Sequence, residues 1–272
     1  MNNRKGIIKA VLIFTLVMSV GMLAYMLISA YFGSKNKMVI DVDSVELVQL
    51  EEINDGAPIA VVDTSLGEIR FVLYPEYSPN AVENFIKLAE SGTYNNTYVF
   101  HSESGAYSAA GSPNKDGTLG DDYDKNTELV ERELNQNLWP FKGAVCSLTS
   151  TVDKSFLESV FGGGTYYCGS RFALINTIEF TDEIKEELRA SSEGSEKIAE
   201  AFIENGGIPN FSQQMTVIGQ VYQGIDIVEQ LSQLEVEESE EGTYKIPKED
   251  IMINSVTISE YSSEEDNVKN NN

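Results

Sequence analysis

Two neighbouring stretches of the chain have hydrophobic patterns typical of strands. Residues 59–64 begin with four apolar residues, residues 68–74 begin with alternating polar and apolar residues, and a short connection ending at Gly67 separates the two stretches. A period of two is typical of strands with one buried face, and a short glycine-containing connection joins such strands into a hairpin. The pattern therefore predicts a β-hairpin.

After Pro75 the period becomes helical. Apolar residues between positions 82 and 89 fall on one face of a helix, Ser78 is a candidate N-cap, and Pro79 occupies the first helical position. Gly92 stands where a helix commonly ends. We expect this helix to pack against the hairpin.

Short β-like stretches follow, separated by glycine-rich and polar turns, and a second helix is predicted after Gly224. Several short strands around amphipathic helices favour a mostly β fold, a barrel or sandwich with helical caps. The stretches are "TYVFHSE", "AYSAAGSP", "FKGAVCSLTS", "GSRFALI", "MTVIGQVYQG" and the closing "KEDIMINSVTISE".

The folded domain is assigned to residues 58–260. Residues 34–57 form an extracytoplasmic linker with one docked strand in "VELVQL", and residues 261–272 form a disordered tail. Residues 181–207 are helical in composition but too polar to be core, so they are predicted to be an insertion lying on the surface.

The N-terminus carries an uncharged apolar run over residues 10–32, preceded by Arg4, Lys5 and Lys9. Its length matches the roughly 20 residues that span a bilayer. Residues 1–33 are therefore predicted to be a cytoplasmic tip and a single membrane anchor. The protein would then be a cell-membrane protein whose folded domain lies outside the cytoplasm. A cleaved signal peptide is the alternative.

Charge restricts the possible partners. The 272 residues include 43 Asp and Glu against 19 Lys and Arg, a formal net charge of -24. The resulting negative field repels phosphate backbones, so we expect no nucleic-acid binding. No phosphate-binding loop and no Gly-x-Ser-x-Gly motif occurs, His101 has no evident triad partner, and no cofactor is predicted.

Cys146 and Cys168 are the only cysteines. An extracytoplasmic domain permits a disulfide between them, and two buried free thiols are the equally open alternative. Together with one histidine they cannot complete a tetrahedral zinc site, so no metal is predicted.

The order of motifs resembles that of cyclophilin-type peptidyl-prolyl cis-trans isomerases. The resemblance rests on "VDTSLGEIRFVLYPEYSPNAVENFIKLAESGTYNNTYVFH", "KGAVCSL", "GSRFALI", "NGGIPNFSQQMTVIGQVYQGIDIVEQL" and "INSVTI". It implies a closed eight-stranded antiparallel barrel capped by two α-helices. It also implies an outer groove that binds proline-containing segments, here those of exported or surface proteins, and isomerisation of their X-Pro bonds.

The resemblance breaks at the residues expected to do the chemistry. Ser102 stands where the family has an arginine directly after Phe-His, so we expect weak or absent catalysis. Other family positions are also changed: Tyr107 replaces phenylalanine, Ser108 methionine, Ala110 glutamine, Ala173 phenylalanine, Phe211 leucine and Met215 histidine.

Three functions remain open. Arg171 borders the implied groove and could return a guanidinium to it as the catalytic donor, which would keep the protein an enzyme. If Arg171 is instead solvent-facing or ion-paired, the domain is an inactive peptide-binding or chaperone module. The third possibility is a structural envelope protein.

Candidate peptide-binding residues are Phe100, His101, Tyr107, Phe172 and Phe211. Tyr107, Phe172 and Phe211 could instead fill the barrel rim. For His101 a structural role is favoured, because the family keeps a histidine there that transfers no proton.

Overall fold

The computed structural model describes residues 37–119, 129–151, 164–192, 194–239 and 242–264, with six helical residues between 18 and 27. The chain divides into two compact units, residues 1–39 with 151–166, and residues 40–150 with 167–272. The second unit carries the fold set out below. Within the described residues, no helix is both long and apolar enough to cross a membrane. Most of the predicted anchor and of the predicted tail lies outside the described residues.

Nine of the described strands belong to one sheet, and β9 and β10 do not. The described strands are β1 Pro58–Thr64, β2 Gly67–Leu73, β3 Thr97–Glu103, β4 Tyr107–Ser112, β5 Val130–Glu131, β6 Ala144–Thr151, β7 Tyr166–Ile175, β8 Thr216–Gln223, β9 Val236–Glu238, β10 Lys245–Pro247 and β11 Met252–Glu260. The helices are α1 Pro79–Glu90, α2 Asp182–Ser191, α3 Glu196–Asn205 and α4 Ile225–Leu231.

The sheet closes into the predicted eight-stranded antiparallel barrel. Its strand order is β4-β3-β11-β1-β2-β8-β6-β7, and pairing of β7 with β4 closes the ring. β5 is a short addition beside β7. β9 and β10 form a separate two-stranded sheet.

The predicted hairpin is confirmed as β1 and β2, to within one residue at each boundary. Its turn is organised by Thr64, whose Oγ1 accepts hydrogen bonds from the backbone N–H groups of Leu66 and Gly67, both at 3.1 Å. Gly67 has a φ of 143°, which a side chain would oppose.

Helices α1 and α4 cap the barrel and contribute to its interior cluster, the buried apolar set that includes Phe71, Phe85, Val99, Phe172 and Leu174. Interior and exterior alternate along the strands, as the period of two requires. A second set, the outer cluster, contains Cys146, Ala173, Ile175 and Val217, with Tyr107, Phe211 and Met215 packed against it.

Helix α1 has the predicted span, but Ser78 does not cap it through its side chain. The Ser78 hydroxyl instead donates to the Val217 carbonyl at 2.9 Å. The cap comes from a distant residue, because the Glu133 carboxylate accepts from the backbone N–H of Ala81 at 2.8 Å and from the Asn80 side chain.

The lead-in, residues 40–57, is docked without a strand, so the strand predicted in "VELVQL" is wrong. It contains two 3₁₀ turns, Val42–Ser44 and Val48–Leu50. Gln49 is buried between them and the barrel, where its amide bonds to the Gln220 side chain and to the Trp139 backbone N–H. A buried amide needs these partners, and they hold the segment in an irregular conformation.

The predicted surface insertion is two helices. Helix α2 has no buried residue, as expected. Helix α3 contradicts the prediction because four of its side chains are buried. Phe202 packs against Phe141 at 4.7 Å between ring centroids and against Trp139 at 6.4 Å. One apolar face suffices to dock a helix whose overall composition is polar.

Candidate functional site

Strands β3, β4 and β7 lie side by side and place residues of all three on one outer face. His101 pairs with Ala109 on β4, and Ala109 pairs with Ala173 on β7. Phe100 is an extra residue in β3, since Val99 and His101 pair with consecutive residues of β4. Such a bulge redirects the side chains around it.

His101 lies between two aromatic rings. Its centroid is 5.1 Å from that of Tyr107 and 5.9 Å from that of Tyr244. Its Nδ1 accepts a hydrogen bond from the Lys245 backbone N–H at 2.9 Å, and its Nε2 is 3.8 Å from a Glu103 carboxylate oxygen. Burial lowers the pKa of the imidazole, which favours the neutral form. His101 therefore anchors the segment above it.

That segment is the β9–β10 hairpin, which no pattern in the sequence predicted. Tyr244 stacks edge-on against Phe100 at 5.1 Å, and Lys245 forms an ion pair with Glu103. The only signal in the sequence is a short alternation, "TYKIP", set in an acidic stretch. Its contacts with β3 join residues more than 130 positions apart.

Arg171 lies beside this face and is already engaged. Its Nη1 donates to the Gly117 carbonyl at 2.9 Å and to the Tyr244 hydroxyl at 3.1 Å, and its Cζ is 5.8 Å from the Phe100 ring centroid. Gly117 approaches closely, since a Cβ there would come within 2.6 Å of Phe100. The guanidinium therefore fastens the hairpin and the 112–118 loop to the barrel.

Ser102 does not reach the outer face. It lies opposite Ser108, which lies opposite Leu174 of the interior cluster, and directly opposed residues share a face. Ser102 is 1% exposed. Neither serine hydroxyl has a hydrogen-bond partner within the described residues.

The predicted aromatic residues divide between the two faces. Tyr107 and Phe211 lie on the outer face with ring centroids 5.2 Å apart, beside Ala173 and Met215. Phe172 lies instead in the barrel interior, 5.9 Å from Phe85 and 5.6 Å from Tyr94 between centroids. The alternation of β7 accounts for this, since adjacent residues point to opposite faces.

Both cysteines are buried free thiols. The Cys168 thiol donates to the Thr216 hydroxyl at 3.3 Å, and burial raises the pKa of both thiols. Across the described part of the chain, no group of three or more His, Cys, Asp or Glu residues is arranged to hold a metal ion.

Comparison with known proteins gives consistent matches. Residues 59–161 match the model of the family described as "Cyclophilin type peptidyl-prolyl cis-trans isomerase/CLD". A Staphylococcus saprophyticus protein named "Putative peptidyl-prolyl cis-trans isomerase" is 29% identical over 210 residues, 77% of this chain and 95% of that protein. A Staphylococcus aureus protein of the same name is 25% identical over 210 residues, with 77% and 96% covered.

The fold has a counterpart among solved structures. The crystal structure of a Cryptosporidium parvum cyclophilin type peptidyl-prolyl cis-trans isomerase superposes with a TM-score of 0.51 at 18% identity. The match covers 76% of this chain and 99% of that one. At this identity the likeness concerns the fold.

Proposed function

Because this chain belongs to the cyclophilin-type peptidyl-prolyl cis-trans isomerase family, we propose that its outer face binds X-Pro segments of exported proteins and isomerises them weakly. An X-Pro bond rotates through a twisted amide against a barrier of about 18–20 kcal/mol, without any covalent change. Catalysis therefore requires an apolar surface for the proline ring and a donor aimed at the rotating amide.

The apolar part of this requirement is met by the partly buried Tyr107, Phe211 and Met215, which pack against the cluster that contains Ala173. Replacement of a pocket phenylalanine by Ala173 leaves this surface smaller than in the family pattern. We expect the surface to bind a proline ring with lower affinity than a pocket that keeps the phenylalanine.

The single observation that carries the proposal of weak catalysis is how the candidate donor side chains near this face are already placed and bonded. Ser102 is buried on the interior side, and Lys245 is paired with Glu103. Arg171 already donates twice through one nitrogen, although its Nε and Nη2 make no hydrogen bond within the described residues. Arg171 thus keeps N–H groups that could turn toward a peptide bound on this face.

The test is NMR exchange spectroscopy of a short Xaa-Pro peptide with the purified full-length protein. We expect a small acceleration that Arg171→Ala removes. Arg189→Ala is the matched control, because Arg189 pairs with Glu200 on α2 and α3, outside this site. Equal acceleration by wild type and Arg171→Ala would refute the role of the guanidinium.

An inactive peptide-binding module is the second candidate, favoured by the commitment of Arg171 to Gly117 and Tyr244. Peptide resonances that shift on binding without exchanging faster would establish it. Absence of both shift and exchange would leave the structural envelope role.

The location outside the cytoplasm is part of the proposal. It is supported by the apolar run over residues 10–32 and the basic residues before it. Protease added to intact cells should cleave the domain. Protection in intact cells, lost after lysis, would refute this location.

A further inference from the structure

A cavity of about 280 Å³ lies between residues 48–57 of the lead-in and residues 72–77 at the end of β2. We call it the lead-in cavity. It shares no residue with the β3–β4–β7 face. Its outer wall largely precedes residue 59, where the match to the family begins.

The lead-in is held firmly enough to form a wall. Gln49 is bonded at both ends of its amide, as described above. At the other end of the segment, the Gly56 N–H donates to the Tyr261 carbonyl at 2.9 Å and the Tyr261 N–H donates to Ala57 at 2.8 Å. The segment that forms the outer wall of the cavity is therefore held in place near both of its ends.

The lining is apolar and aromatic at its base. Val72 and Leu73 are buried beneath it. Tyr74 and Tyr77 stand nearly perpendicular, with ring centroids 6.3 Å apart and an interplanar angle of 80°. Two rings at this angle form a corner whose faces attract a cation and its methylene stem.

Acidic side chains surround this corner. Glu51, Glu52 and Glu76 line the cavity. Burial raises the pKa of the Tyr77 phenol, and the negative charges of Glu46, Glu76 and Glu51 raise it further. Within the described residues, none of these carboxylates forms an ion pair. These described carboxylates therefore make the field at the corner negative.

We propose that the lead-in cavity binds a lysine or arginine side chain of another polypeptide. Small-molecule pockets usually measure about 300–1,000 Å³, so this volume suits one long side chain better than a whole ligand. The stem would lie on Val72 and Tyr74, and the charged end would lie among Glu51, Glu76 and the Tyr77 ring. The proposal does not depend on isomerase activity.

The test uses two capped tripeptides, acetyl-Gly-Lys-Gly-amide and its norleucine analogue, with the purified full-length protein. Binding is followed by saturation-transfer NMR and titration. We expect the lysine peptide to bind at least fivefold more tightly than the norleucine peptide, and its side-chain methylenes to receive the strongest saturation.

The variant Glu51→Gln/Glu76→Gln keeps the shape of the cavity and removes two charges, so lysine binding should weaken at least fivefold. The matched control Glu183→Gln/Glu186→Gln removes the same charge from the exposed α2 and should change binding less than twofold. Equal weakening by both variants would assign binding to the general negative field. Equal binding of both peptides would make the cavity an apolar site. No binding by the wild type, like either of these results, overturns the proposal.

Discussion

Truncation of Phe202 tests whether α3 is part of the core. Phe202 is 2% exposed and contacts Phe141 and Trp139, which lead into β6. If the helical insertion merely lay on the surface, Phe202→Ala would change the free energy of unfolding little. The docked arrangement predicts a large loss.

The size of that loss follows from burial. A buried phenylalanine hides roughly 200 Å². The ring that alanine lacks accounts for about two thirds of this area, which at about 25 cal/mol per Å² is about 3 kcal/mol. An unfilled cavity adds to this figure, and Phe→Ala changes in cores cost about 3–5 kcal/mol. The melting temperature should fall by roughly 10 °C, since each kcal/mol shifts it by about 2–4 °C at this size.

The assay is urea unfolding followed by circular dichroism, with wild type, Phe202→Ala and Ile184→Ala. Ile184 is half-buried on α2, outside the Phe202 cluster, and its truncation should cost about 1 kcal/mol or less. A loss below about 1 kcal/mol for Phe202→Ala, with an unchanged denaturant slope, would refute the docking of α3.

Three further outcomes are expected. The pKa of His101 is lowered in the folded state, so its contribution to the free energy of unfolding is constant above its ordinary pKa of 6.5. This contribution falls as the pH drops from 6.5 through the folded-state pKa. Urea titrations should show this fall in wild type and not in His101→Gln. Cys146 and Cys168 should react with Ellman's reagent only after unfolding, both of them and without prior reduction, whereas no reaction in denaturant would show a disulfide. Glu133→Ala should cost about 1 kcal/mol in thermal unfolding because Ala81 loses its cap acceptor, and an unchanged melting temperature would contradict that role.

Local patterns predicted the elements that depend on local physics. The β1–β2 hairpin follows from an apolar stretch, an alternating stretch and the glycine turn between them, and α1 follows from a proline start and an apolar face. The closing strand β11 follows from alternation alone. The closed ring came from the resemblance, because pairing of β4 with β7 joins residues more than 60 positions apart.

Long-range partners decided what the sequence could not indicate. Gln49 is polar, yet it is buried because Gln220 and Trp139 meet it. Phe202 lies in a polar segment, yet Phe141 offers it a surface. At the site, Tyr244 and Lys245 were missed because their partners on β3 are known only once the hairpin is folded over them.

β7 has one edge shared by two strands. Residues 172–175 pair with β4, whereas Tyr167 and Cys168 pair with β5. β5 is a terminal strand of the described nine-stranded sheet, and it is only two residues long, one of which is Glu131. An exposed edge strand can pair with a strand of another chain. Because β5 is short and charged, this edge of the sheet disfavours edge-to-edge aggregation. Because the ring is closed, a register shift between two strands requires compensating shifts between the other strands of the barrel. A barrel with the wrong register is therefore costly to form.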